Sequence, residues 1–167
     1  MKRILMATGA LAALVAANLG EASAANSAAV YQFGWHNGAT YTQRGAFNRG
    51  TLRMNGNYNY SSAMQRGRWN YLYQQQLGNH NRALTDQYGD SNYAVTGQEG
   101  ANHSAATYQT GRSNISGIAQ IGSNHSAVAD QAGSNNTSAI IQVGDNQHAE
   151  THQVGDGNIG VVIQGGE

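Results

Sequence analysis

The sequence has no cysteine and no proline in 167 residues. Without cysteine there can be no disulfide framework, no thiol nucleophile and no zinc site built on thiolates. Without proline, nothing in the chain interrupts a ladder of paired strands. Charge is also scarce. Only 11% of residues are charged, against a usual ~25%. The nine basic and nine acidic residues cancel, which excludes the basic excess of a general nucleic-acid binder. Large aliphatic residues are too few for an ordinary globular enzyme, while charge and proline are too low for a typical disordered polymer. Asn, Gln, Ser, Ala, Tyr and 22 Gly fill the gap.

The first 24 residues read as a cleaved secretory signal peptide. Met1, Lys2 and Arg3 form a basic start, Ile4 to Leu19 is mostly apolar, and Ala22 and Ala24 place small residues at the two positions a signal peptidase reads. The apolar run contains Thr8, Gly9 and Asn18 and is too short for a membrane span. The expected product begins at Ala25 and is exported through the periplasm. Its seven Arg stand against eight acids.

From Gln32 onward the chain is one repeat. Every eleventh residue is Gln: Gln32, Gln43, Gln65, Gln76, Gln87, Gln98, Gln109, Gln120, Gln131, Gln142, Gln153 and Gln164, with Met54 the single departure. Two residues after each mark stands Gly: Gly34, Gly45, Gly56, Gly67, Gly78, Gly89, Gly100, Gly111, Gly122, Gly133, Gly144, Gly155 and Gly166. Five after stands Asn37, Asn48, Asn59, Asn70, Asn81, Asn92, Asn114, Asn136 or Asn158, replaced by His103, His125 and Gln147. Seven after, the residue is small except at Leu72. The three replacements are 22 residues apart, so two eleven-residue arcs make one structural turn with two distinguishable sides. The organisation is then 1–24 signal peptide, 25–31 a short N-terminal segment, and 32–167 the repeat.

Within one arc the pattern has period two. Asn114, Ser116, Ile118 and Gln120 fall on one side of a pleated strand, and Asn136, Ser138, Ile140 and Gln142 repeat them. Gly and Asn at fixed marks argue against helix. The expected fold is all-β: a β-solenoid of about six 22-residue rungs, each of two strands and two four-residue arcs, with twelve strands near 37–43, 48–54 and onward to 158–164. The glycines serve as turn residues tolerant of positive φ. Stacked Asn and Gln form hydrogen-bonded ladders along the axis. Leu52, Ile118, Ile140 and Val162, nine residues after Gln marks, supply the dry part of a thin core.

Function is expected at the ends of the stack. An uncapped terminal rung leaves backbone groups unpaired, and head-to-tail addition of further copies generates an open filament. All six Arg between residues 25 and 85 lie without an acid, whereas eight acids and only Arg112 follow from Asp86. A basic end would meet an acidic end, steering docking more than strengthening it. Arg44 and Arg66 occupy equivalent marks one rung apart and oppose stacking. Phe33, Trp35, Tyr58, Tyr60, Tyr71, Tyr73, Tyr88 and Tyr93 are read as outward and as lateral packing groups.

The tandem Gln120-Ile-Gly-Ser-Asn-His-Ser-Ala-Val-Ala-Asp-Gln131, continued by Gln131-Ala-Gly-Ser-Asn-Asn-Thr-Ser-Ala-Ile-Ile-Gln142, resembles the curlin repeat. The resemblance implies a subunit of curli, an amyloid fibre at bacterial surfaces that serves adhesion and biofilm matrix. It also implies as partners the chain itself, a sister curlin subunit, and a curli-type secretion channel with accessory proteins. Either the major or the minor, nucleating subunit is compatible with it. No cofactor, metal or catalytic residue is expected. Acids recur singly rather than in catalytic pairs, and His103 with His125 gives two ligands where three or four are usual. A monomeric ice-binding solenoid would want a long flat array of Thr, but Thr85, Thr96 and Thr107 stop after three arcs.

Overall fold

The computed structural model describes residues 13–17 and 25–166. Ala22, Ala24 and the basic start of the expected signal peptide lie outside the described residues. The described chain contains fourteen strands and no helix: β1 (Ala13–Ala17), β2 (Ser27–Phe33), β3 (Gly38–Ala46), β4 (Arg49–Asn55), β5 (Tyr60–Arg68), β6 (Tyr71–Asn79), β7 (Arg82–Asp90), β8 (Tyr93–Ala101), β9 (Ser104–Arg112), β10 (Ile115–Ser123), β11 (Ser126–Ser134), β12 (Thr137–Asp145), β13 (His148–Asp156) and β14 (Ile159–Gly165).

The strands alternate between two parallel sheets. One has the order β1-β3-β5-β7-β9-β11-β13 and the other β14-β12-β10-β8-β6-β4-β2. Register advances by 22 residues per turn, so that Gln120 lies over Gln98 and under Gln142. The molecule is a β-solenoid of about six turns.

Two details differ from the sequence expectation. Most strands are nine residues long and run on through the Gln and Gly marks, so that most links are only two residues rather than four. The backbone bends at Gly without leaving the ladder, and even the arcs hydrogen-bond from rung to rung, as from the Tyr58 amide to the Trp35 carbonyl at 2.9 Å. The winding also starts before the first Gln mark. Strand β2 begins at Ser27, and the Asn26 side chain accepts from the Asn48 amide at 3.0 Å. Strand β1 pairs with β3 through Ala13↔Ala39 to Ala17↔Gln43.

Inward residues alternate with outward ones along β3 to β14. The core is not dry throughout. Ala39, Tyr41, Leu52, Met54, Ala63 and Leu72 form one apolar cluster, and Ala105, Ile118, Ala127, Ala129, Ile140 and Ala149 form another, with Val162 half-buried against it. Between them, Gln74, Thr85, Thr96 and Thr107 are buried at the same inward mark. Gln74 bridges the two sheets, accepting from the Ser61 hydroxyl and donating to Thr85 Oγ1 at 2.7 Å.

Candidate functional site

The inward Gln side chains form two columns. In the first, Gln43, Gln65, Gln87, Gln109, Gln131 and Gln153 each donate Nε2–H to the Oε1 of the next at 2.8–2.9 Å. In the second, Gln76, Gln98, Gln120, Gln142 and Gln164 do the same at 2.8–2.9 Å. The second amide proton goes to a main-chain carbonyl sixteen residues earlier, as from Gln109 to Tyr93 at 3.1 Å. Each glutamine thus ties its own sheet to the opposite one and its rung to the next. Buried amides so placed avoid the desolvation penalty of unpaired polar groups.

The Asn marks make two further columns with a different mechanism. Asn70, Asn92, Asn114, Asn136 and Asn158 donate their backbone N–H to the Oδ1 one rung earlier at 3.0–3.1 Å. Asn37, Asn59 and Asn81 begin the other column, with bonds of 3.0 Å from the Asn59 and Asn81 amides. The asparagine Nδ2 caps a glycine carbonyl nineteen residues ahead, as from Asn59 to Gly78 at 2.7 Å.

His103 and His125 fit this geometry as substitutes for Asn. Their rings stack with centroids 5.0 Å apart. Each Nδ1 faces the backbone amide of the next rung, at 3.4 Å from His125 N and 3.2 Å from Gln147 N, while each Nε2 faces the carbonyl of Glu99 or Ile121 at 3.1 and 3.0 Å. An amide can only donate, so these partners assign the proton to Nε2 and leave Nδ1 as acceptor. Burial holds the His103 imidazole below the usual histidine range. Among the described residues no three His, Asp or Glu groups converge as a metal site would require.

Twelve of the thirteen marked glycines, Gly34 to Gly155, have φ between 102° and 127°. At Gly122 a Cβ would lie 1.9 Å from the Gly144 carbonyl oxygen one rung on. Only glycine satisfies both the backbone angle and the close approach. Gly166 follows β14, and its N–H donates to the Val143 carbonyl at 3.2 Å.

The sequence reading missed a second special mark, four residues after each Gln. All eleven non-glycine residues there have φ of 54–60°. Asn102, Asn124, Asn135 and Asn146 suit that left-handed corner, as does Gly157, and this run of Asn and Gly was the available signal. In the first rungs the same corner holds His36, Phe47, Tyr58, Trp69 and His80. These rings stack along the axis: Phe47 on Trp69 at 4.2 Å, His36 on Tyr58 at 4.7 Å, and Tyr58 on His80 at 5.0 Å.

Of the aromatics read as outward, Phe33, Trp35, Tyr58, Tyr60, Tyr88 and Tyr93 are exposed, whereas Tyr71 and Tyr73 are half-buried. Tyr41 turns inward. Its hydroxyl donates to Gln65 Oε1 at 2.5 Å and fills the space a side chain at Gly50 would need. Burial pushes its phenol above the usual range. Thr85, Thr96 and Thr107 face the core, so they present no array to a flat external lattice.

Charged side chains lie outside the ladders. Arg44 and Arg66 are in register, as their spacing requires. Arg68, Asp90 and Arg112 make a column of alternating sign. Burial raises the Asp86 carboxyl above its usual range, partly offset by Arg66.

The ladders have a polarity. Each Gln amide points toward the C-terminal tip, where Gln153 and Gln164 end the two columns in β13 and β14, the edge strands of their sheets. At the opposite tip Gln43 begins one column with its carbonyl, and β2 is the edge of the second sheet.

A family model described as the curlin associated repeat matches residues 78–106 and 104–133. Residues 78–133 are similar to curlin repeats. The matched spans run from the end of β6 to the end of β11, and the same eleven-residue frame continues on both sides of them. No curated protein and no solved structure matches the chain. This similarity supports a structural subunit of the curli type.

Proposed function

We propose that the protein is the elongating subunit of an extracellular amyloid fibre, growing by addition of whole solenoids tip to tip, and that the fibre serves adhesion and biofilm matrix. The observation that carries this reading is the polarity of the ladders. Gln153 and Gln164 offer amide protons at one tip, and Gln43 offers a carbonyl at the other. A joint between copies repeats the bonding that already links neighbouring rungs. About ten backbone hydrogen bonds per joint, at ~0.5–1.5 kcal/mol net each, give ~5–15 kcal/mol before ordering costs. The joint is heterologous and does not close on itself, so growth is open-ended.

Export supplies the timing. Cleavage after Ala24 removes β1 from β3 and frees the N-terminal edge of the first sheet. A sister subunit with the same 22-residue rung would fit either tip, which is how a nucleating partner would act. A secretion channel and accessory proteins would deliver the chain unfolded.

The test is conversion of the purified chain into thioflavin-positive fibres after a lag, with seeding by preformed fibres and diffraction spacings near ~4.7 and ~10 Å. Replacing Gln153 and Gln164 with Ala should slow elongation, whereas Arg112→Ala should not. A protein that remains monomeric for days overturns the reading.

A further inference from the structure

The two sheets present different outer faces over the last rungs. On β11 and β13 the outward positions include Asp130, Glu150 and His152. On β10, β12 and β14 every outward position within the strand is apolar except Thr137, until Ser123 and Asp145 close β10 and β12. Ile121, Ile141, Val143 and Ile163 are 46%, 38%, 44% and 71% exposed, the last value including the open edge of β14. Small residues, Gly117 and Ala139, lie between them. The result is a flat, uncharged sheet face of a kind that marks an interaction site.

We propose that this face is a lateral contact between fibres, its occupant being the same face of a second copy. This rests on the fibre reading above. Complementarity selects the occupant. The outer face of the other sheet carries acids and histidines, and the N-terminal part of the same sheet carries Arg49 and Arg53. Either would bury charge against isoleucine. Only the patch matches the patch, and a two-fold axis across the fibres brings them together.

Area decides when the contact forms. Three strands ~4.8 Å apart and seven residues at ~3.3 Å give a footprint of roughly 300 Å². A stable pair needs about 800 Å² per partner. One copy therefore falls short, and free subunits stay apart. In a fibre the patch recurs about every 29 Å, six rungs at ~4.8 Å. Three consecutive subunits reach the required area, and each further one adds avidity. Polymerisation thus switches on bundling without any change in the subunit.

The experiment uses the exported protein, its Ile141→Lys variant, and single-cysteine variants at Ala139 and at Val128 on the opposite sheet. The cysteine-free background makes any cross-link unambiguous. Electron microscopy and thioflavin kinetics should show Ile141→Lys elongating at the wild-type rate but as single filaments. Under mild oxidation, Ala139→Cys fibres should yield covalent dimers at least tenfold above Val128→Cys fibres, with none from Ala139→Cys monomers. Unchanged bundling by Ile141→Lys, or bundled Ala139→Cys fibres without dimers, overturns the inference alone. Failure of the wild-type protein to form any fibre overturns the fibre reading and the inference with it.

Discussion

Met54→Gln should stabilise the solenoid. Residue 54 is the one Gln mark occupied by another side chain, and the structure shows the consequence one rung away. Gln76 Oε1 is buried and has no hydrogen-bond partner, while its amide is fully engaged with Tyr60 O at 3.0 Å and Gln98 Oε1 at 2.9 Å. Gln32, cut off from the column, turns its amide to the Asn37 carbonyl at 3.2 Å. A glutamine at 54 would donate to Gln76 Oε1 and accept from Gln32. Satisfying an orphaned buried carbonyl is worth ~1–3 kcal/mol, and each further bond ~0.5–1.5 kcal/mol. Against this stands the loss of a fully buried methionine, ~1.5–3 kcal/mol, of which the glutamine methylenes recover part. The balance favours the variant by about 1–2 kcal/mol, or ~2–8 °C in Tm for a chain of this length. The assay is thermal unfolding of the monomer by circular dichroism within the lag phase, with Met54→Leu as the control that keeps the carbonyl orphaned. If Met54→Gln melts no higher than Met54→Leu, ladder continuity does not govern stability and the reasoning fails.

Three other perturbations follow from the same geometry. Thr96 and Thr107 are buried with no partner for either hydroxyl; Thr→Val at each should raise denaturant stability by ~1 kcal/mol, since a buried hydroxyl without a bond is a net cost. The folded state holds His103 neutral with its pKa lowered, so unfolding takes up a proton. Stability should therefore be full above about pH 6.5 and fall as the pH drops below it, and the stability difference between wild type and His103→Asn, measured from pH 7.5 to 5, should shift in favour of Asn as the pH falls. Gly122→Ala places a Cβ 1.9 Å from a carbonyl at φ 122° and should prevent stable folding, whereas Gly97→Ala meets nothing within 4 Å and should gain ~0.5–1 kcal/mol; urea titrations of the two variants separate them.

The spacing of Gln, Gly and Asn made the fold legible because a solenoid repeats its constraints at every turn. A column of amides one rung apart has few ways to be satisfied, and the 22-residue recurrence of His103, His125 and Gln147 distinguished the two sides of the winding. Strand ends were less legible. Gly marked a bend of positive φ, as found, but was placed in a four-residue arc outside the strand, whereas the strand runs on through it and keeps its ladder bonds. The corner mark escaped notice because five of its residues are aromatic or His, which the left-handed region disfavours. Leu52, Ile118 and Ile140 marked the dry part of the core, but that Gln74 and three threonines at the same mark bond across it or remain unpartnered was not legible. Tyr41 could not be assigned to the interior without knowing that Gly50 leaves room for its ring.

The hydrophilic band centred on Gln74 and Thr96 separates two greasy blocks, and its placement has a mechanical implication. The amide columns run through this band unbroken, but across its width the two sheets are held there by Gln74 and hydroxyls, some of them idle, rather than by packed aliphatic side chains. In the proposed fibre, tension would thus part a subunit most readily across this band. Breakage would leave fragments ending in half-molecules, whose fresh rungs already carry the pattern needed to regrow.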